Sequence, residues 1–231
     1  MNASLPPFWR RCVLILALFG FIEISQADTL VSDGFKNNGS TRIEGASLNG
    51  LVPETGEGQW LSNAVFAKGD RITVNPAGQD TTGLIAIPVP GSEGTTIQAD
   101  VRVGDSKWIS VGFQDAPTHS NWFNPVTSDL FVILDPEGGW NLYCHGSSDL
   151  REKGVIPDFD GNKSYTISLQ YTPTSDRSGT AKVSIDGHQV SAAQPVTLPT
   201  AIGSAGFLIY VKGSVVHSAS VTNIRISSED L

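Results

Sequence analysis

From Trp108 to Cys144 the chain carries three short apolar runs, Trp108-Ile-Ser-Val-Gly-Phe113, Leu130-Phe-Val-Ile-Leu134 and Trp140-Asn-Leu-Tyr-Cys144, with large apolar side chains at both parities. A strand with water on one side alternates apolar and polar residues, so strands apolar on both faces are either buried twice or floor an aromatic groove. Elsewhere the alternation is regular. Thr96 to Val103 places Ile97, Ala99, Val101 and Val103 on one face and Gln98, Asp100 and Arg102 on the other. Tyr165 to Tyr171 and Ala181 to Asp186 repeat the device, and all three segments read as half-buried strands. Further strands are expected at Thr29 to Phe35, Arg71 to Asn75, Leu84 to Val89, Ala205 to Val211 and Val221 to Ile226. Asp186-Gly187, between Val183 and Val190, predicts a tight hairpin, because both residues tolerate the positive φ that a two-residue turn requires. Helical periodicity is nearly absent, and Gly, Pro, Asn and Asp clusters punctuate the strands at intervals of roughly 10 to 15 residues. About a dozen strands imply an all-β fold, a two-sheet antiparallel β-sandwich of jelly-roll type.

The first 27 residues have a different texture. Arg10 and Arg11 precede an apolar run from Cys12 to Ile22, and Ser25-Gln-Ala27 offers small residues where a signal peptidase cleaves. Residues 1–27 are therefore expected to be a signal peptide removed after Ala27, which makes the mature chain secreted or periplasmic. The Arg pair resembles a twin-arginine signal, but its neighbours fit ordinary secretion better. The apolar run is too short for a membrane span, and nothing in residues 28–231 approaches the roughly 18 apolar residues a span needs.

Residues 28–231 suit one sandwich domain. Removing Arg10, Arg11 and Glu23 from 15 basic and 23 acidic residues leaves a net charge of −9. That balance disfavours nucleic acid and anionic membranes as partners. Cys144 is the one cysteine beyond the leader, so no intramolecular disulfide is expected; a lone thiol in an apolar strand is ordinarily buried and inert. The stretch from Asn37 to Gly58, rich in Gly, Asn, Ser and Glu, is expected to run irregularly over the surface before Trp60 docks. No sequence feature specifies an oligomeric state.

Phe35, Gly39-Ser40 and Ser47-Leu-Asn-Gly-Leu-Val-Pro-Glu-Thr-Gly-Glu-Gly-Gln-Trp60 resemble the start of bacterial concanavalin A-like domains of the laminin G type. The resemblance runs on through Val111-Gly-Phe113, Gly138-Gly-Trp140, Ile185-Asp-Gly187, Ala205-Gly-Phe207 and Val221-Thr-Asn-Ile-Arg-Ile226, in the order such domains show. Lys36 replaces the Asn usual after Phe35. The resemblance implies a curved sandwich whose concave face, in lectin and glucanase relatives, often holds carbohydrate. Fold likeness alone does not transfer that activity.

Catalytic chemistry finds little support in the residues. A retaining glycosidase needs two carboxyl groups about 5 to 5.5 Å apart, and no Glu-x-Asp-x-Glu strand occurs. Glutamates stand at 44, 54, 57, 93, 137, 152 and 229, none in the middle of an expected strand, and Glu137 belongs to the turn from Asp135 to Gly139. Asp100 is the best placed single carboxylate, yet a solvated polar face explains it better. An alginate-lyase type of jelly roll would need a Tyr or His base with Arg, Gln or Asn neutralising the uronate. Tyr210-Val-Lys212-Gly213 distantly resembles such a motif but lacks its last Tyr, and the companion Arg-x-Glu-x-Arg and Gln-x-His strands are missing. The histidines at 119, 145, 188 and 217 show no zinc spacing, and no Gly-x-Ser-x-Gly elbow occurs.

Binding is better served. Sugars present an apolar C–H face and a rim of hydroxyls, which an aromatic platform and Asp, Asn or Gln groups complement. The segment from Gln114 to Asn124 mixes these types, with Gln114, Asp115, Asn121 and Trp122 as candidate contacts. Trp122 as a lid over the sandwich edge is the alternative. Trp108 and Tyr143 are candidates for the groove floor, with core packing as the alternative for each, and His145 follows Tyr143 on the same strand parity. Trp140 and Tyr143 have opposite parity, so one faces the core and the other the opposite surface. Asp158 and Asp160, in Asp-Phe-Asp-Gly-Asn, resemble part of a calcium loop but lack its later Glu; turn formation explains them as well. The expectation is a secreted, non-catalytic, lectin-like domain with an extracellular polysaccharide or glycan as partner and calcium as a candidate cofactor. A glycan-degrading enzyme with a loop-borne site and an adhesive, protein-binding module stand as rivals.

Overall fold

The computed structural model describes residues 27–76, 80–92, 94–117, 129–146, 148–211 and 218–229. The expected signal peptide, apart from Ala27, lies outside the described residues, as do Asn121 and Trp122. Among the described residues there is no helix, and none therefore long and apolar enough to cross a membrane. In chain order the strands are β1 Thr29–Asp33, β2 Thr55–Gly56, β3 Leu61–Ser62, β4 Val65–Ala67, β5 Arg71–Thr73, β6 Thr81–Ala86, β7 Thr95–Arg102, β8 Trp108–Gln114 and β9 Leu130–Leu134. They continue as β10 Gly139–Cys144, β11 Leu150–Val155, β12 Tyr165–Pro173, β13 Ser178–Ile185, β14 His188–Gln189, β15 Gln194–Thr197, β16 Ser204–Tyr210 and β17 Ser220–Ser228.

Two antiparallel sheets result. One has the order β11-β10-β9-β8-β16-β6-β3; the other runs β14-β13-β12-β7-β17-β1-β2, with β15 beside β13 and with β5 joining β17 to β4. The last two strands thus enter the interior of opposite sheets, β16 between β8 and β6 and β17 between β7 and β1. The three doubly apolar runs are neighbours, because β8, β9 and β10 pair in succession.

One parity of each strand forms the core between the sheets. Ile109, Val111 and Phe113 of β8, Leu130, Val132 and Leu134 of β9, and Trp140, Leu142 and Cys144 of β10 meet Ile97, Ala99, Val101, Ile167 and Leu169 from the facing sheet. Removing such side chains from water stabilises the fold by about 1.5–3 kcal/mol each. The Asp186-Gly187 hairpin has the expected left-handed backbone, with φ of 50° and 77°.

The stretch from Asn37 to Gly58, expected to be irregular, is so except for the short β2, which pairs with β1, and it is firmly anchored. Asp33 is fully buried and accepts from Arg42 Nη1 at 2.6 Å and Nη2 at 3.0 Å, from Trp60 Nε1 at 2.8 Å and from the Phe35 amide at 2.9 Å. That carboxylate ties both ends of the irregular segment to β1, while Phe35 and Trp60 pack against each other and against Phe207 of β16.

Several strands depart from expectation. β6 begins and ends earlier than the Leu84 to Val89 segment, because Pro88 and Pro90 cannot donate to a ladder and Thr81-Thr82 extend it at its start. β11, Leu-Arg-Glu-Lys-Gly-Val, carries no apolar alternation and is an edge strand, where charged residues guard free backbone groups. β2, β3, β4 and β15 are too short to show a period.

Candidate functional site

The opposite parity of β8, β9, β10 and β16 forms the outer face of the seven-stranded sheet. Leu84, Phe131, Ile133 and Leu208 make a second apolar cluster there, with Trp108, Tyr143 and Tyr210 packed against it and half-buried. Trp140 faces the core and Tyr143 this outer cluster, which resolves their opposite parity. The aromatic side chains pair across strands. Trp108 stacks on Tyr210 with ring centroids 4.7 Å apart, and Phe131 on Tyr143 at 5.3 Å. Lys107 Nζ lies over the Tyr210 ring, 5.1 Å from its centroid. Their separations match the strand spacing of about 4.8 Å.

Along β8 the outer positions after Trp108 are Ser110, Gly112 and Gln114. Gln114 and Ser110 are fully buried, as is Ser204, which stands opposite Gln114 on β16. The Gln114 Nε2 and Oε1 atoms and both seryl hydroxyls have no hydrogen-bond partner. Asp115 is half-exposed, and its carboxylate accepts from the Ala116 amide at 2.8 Å. Asn141 of β10 lies at the same parity as Tyr143 and is half-buried beside Ile133 in register.

His145 does not continue the Tyr143 face. Its φ is 60° and Gly146 follows at 78°, so the backbone leaves the extended region where β10 ends at Cys144, and the His145 amide donates to the Asp129 carbonyl at 2.7 Å. Strand parity therefore does not carry over to it. Asp158 has φ of 51°, and Asp160 accepts from the Asn162 amide at 3.0 Å, as a turn requires. Among the described residues no group of three His, Cys, Asp or Glu side chains could hold a metal.

Trp108, Gln114 and Tyr143 are thus brought to one face, with Asp115 at its rim. As candidate contacts the sequence offered none of Ser110, Ser204 and Asn141, and it brought forward Tyr210 only in the lyase-like motif. Tyr210 was legible by parity, since the Ala205, Phe207 and Ile209 positions define the inner face of its strand. Ser204 becomes visible only through the register that sets it opposite Gln114.

The outer face of the ten-stranded sheet is built otherwise. Asp100 accepts from Thr166 Oγ1 at 2.6 Å and from Asn223 Nδ2 at 3.4 Å, and Glu229 accepts from Thr96 Oγ1 at 2.8 Å and from Gln170 Nε2. Its carboxylates are thus engaged by neighbouring side chains of the same sheet. Asp100 is a partnered residue of it, in line with the solvated-face reading. Tyr210 is engaged by Trp108 and Lys107.

Two antiparallel sheets in this arrangement are a concanavalin A-like β-sandwich. Among solved structures the chain is similar to the carbohydrate recognition domain of Emp46p, with 15% identity, 82% of this chain and 99% of that one covered, and a TM-score of 0.54. The corresponding domain of Emp47p gives 15% identity, 80% and 94% coverage and a TM-score of 0.53. The calcium-bound exoplasmic/lumenal domain of VIP36 gives 11%, 88% and 90%, and 0.50. At such identities the likeness is one of fold. No protein-family model and no curated protein sequence matches the chain.

Proposed function

We propose that this chain is an exported, non-catalytic, lectin-like domain that holds an extracellular glycan on the outer face of its seven-stranded sheet. The observation that carries this is the contrast between the two outer faces. One is polar and internally hydrogen-bonded; the other gathers Trp108, Tyr143 and Tyr210 beside buried polar groups without partners. An aromatic and amide surface suits the two kinds of surface on a sugar. The neighbours in fold lend support, being carbohydrate recognition domains, with VIP36 seen in a Ca2+/Man2-bound form. The order of laminin G-type motifs, the leader up to Ala27 and the single-domain span 28–231 complete the reading.

Incubating the exported protein, expected to begin at Asp28, with a polysaccharide panel tests it. Retention on a glycan without release of reducing or unsaturated ends is the expected outcome, and Tyr143→Ala should weaken retention about tenfold while leaving the melting temperature nearly unchanged. Release of sugar ends would overturn the non-catalytic assignment. Failure to bind any glycan would favour a protein-binding module. Repeating the assay with a chelator tests Asp158 and Asp160 as calcium ligands, and retention that survives the chelator removes calcium from the proposal.

A further inference from the structure

Away from the outer face, three loops enclose an open cavity of about 410 Å³ at one end of the sandwich: the loop after β6, the turn between β12 and β13, and the loop that leads into β16. Tyr171 and Ile202, each 2% exposed, are its buried members, and Pro90, Pro173 and Ala201 stand half-buried around them. Val89, also in the lining, is 66% exposed, a large apolar side chain left in water. The loops are tied to one another. The Ile87 amide donates to the Gly203 carbonyl at 3.0 Å, which joins the first loop to the third. The Leu198 amide donates to the Arg177 carbonyl at 2.7 Å and Arg177 Nη1 to the Pro199 carbonyl at 3.1 Å, which joins the second to the third. The turn itself is closed by the Thr174 amide, which donates to the Ser178 carbonyl at 2.7 Å. A concave, mostly apolar hollow of this size on a fixed frame has the form of a small-molecule site.

Charge decides what such a hollow selects. Among the described residues that line it, Asp176 alone is charged; it is exposed, and no described residue engages its carboxylate. Its neighbour Arg177 is held by the Pro199 carbonyl and does not line the cavity. We propose that this cavity binds a small organic cation, an amine carried on an apolar ring or short chain. The apolar body covers Val89 and the prolines and displaces loosely held water, which is favourable. The ammonium group stays at the solvated mouth beside Asp176, where it keeps much of its hydration and loses little on binding. A carboxylate on the same body would meet Asp176 and the net negative charge of the chain. A bare sugar would leave the apolar walls without a complementary face. The site is separate from the outer face of the seven-stranded sheet and does not rest on the glycan reading.

Titration followed by amide NMR, with three probes that share a phenylethyl body, tests the proposal: 2-phenylethylamine, a cation at pH 7, neutral 2-phenylethanol, and anionic 3-phenylpropionate. The amine should bind about two- to fivefold more tightly than the alcohol at low salt, and the anion most weakly, with the preference shrinking as salt is raised. On the unaltered protein the shifts should centre on the amides of Gly91, Thr174, Ser175 and Ala201. Asp176→Asn should abolish the preference for the amine and leave binding of the alcohol as it was. Val89→Ser should weaken amine and alcohol alike, by about threefold, and keep the preference. Both side chains are exposed, so neither variant should change the melting temperature. Equal binding of amine and alcohol, a preference retained in Asp176→Asn, or shifts centred away from the three loops would overturn the assignment. Binding of none of the three probes would overturn it as well, and each of these results would leave the glycan reading standing.

Discussion

Asp33 shows how much of this fold depends on one buried charge. It accepts from two Arg42 nitrogens, one indole and one backbone amide, and Arg42 also donates to the Val52 carbonyl at 2.6 Å. Removing the carboxylate leaves Arg42, itself nearly buried, with only the partly exposed Glu54, 3.7 Å from Nη1, as counter-charge. Asp33→Ala should therefore cost about 3–5 kcal/mol in urea denaturation, as breaking one side of a buried ion pair does. Trp60 fluorescence should report the loosened segment. Cys144 makes an opposite case, a buried group that prefers neutrality. Burial pushes its thiol pKa up, against smaller downward pulls from Arg151 and the Thr197 carbonyl contact, and burial likewise raises that of Tyr171. A raised folded pKa contributes stability below the unfolded value and loses it as pH climbs through the folded one. The melting temperature should accordingly fall as pH passes above the ordinary thiol range of about 8.5, and Cys144→Ala should flatten that fall. An identical slope in the variant would place the alkaline loss elsewhere.

At the scale of the strand, packing tolerances decide what the chain permits. A Cβ on Gly206 would stand 1.9 Å from the Gly83 carbonyl oxygen and 3.0 Å from Leu84 Cα, both backbone atoms of the neighbouring strand. No rotamer change relieves that clash, so β16 and β6 would have to separate. Gly206→Ala should cost about 1–3 kcal/mol and speed amide exchange in Thr81 to Leu84, measurable by hydrogen exchange; protection unchanged there would show that the strands absorb the methyl. The sequence made β9 legible to the residue and β7, β8, β10 and β17 to within about two, because each carries four or more residues of consistent apolar pattern. It could not show β11, whose Arg-Glu-Lys stretch lies on a sheet edge, or the register that makes neighbours of Gln114 and Ser204. Pairing between residues ninety positions apart leaves no local trace. The same limit explains the candidate site. Parity placed Trp108 and Tyr143 on one face, whereas His145 escaped it because one left-handed residue ends the strand's alternation.

Across the whole molecule the two apolar clusters lie on opposite sides of the seven-stranded sheet, and they do different work. The inner one draws side chains from both sheets, so neither sheet keeps a buried face when the other departs. The chain also closes through its last two strands, β16 and β17, one in each sheet, so losing either opens a sheet at an interior position. Among the described residues the one cysteine is free, which leaves cohesion to packing. Unfolding should then be a single transition, with far-ultraviolet circular dichroism and tryptophan fluorescence giving coincident urea curves, unaffected by reductant. Phe207→Ala, which removes a ring packed on Phe35 and Trp60, should shift both curves together by about 3–5 kcal/mol. Two resolved transitions would mean that the sheets fold as separate units. A coincident pair would leave the outer cluster free to change, since Tyr143 and its neighbours could then be altered for a different ligand without dismantling the core on the other side of the same strands.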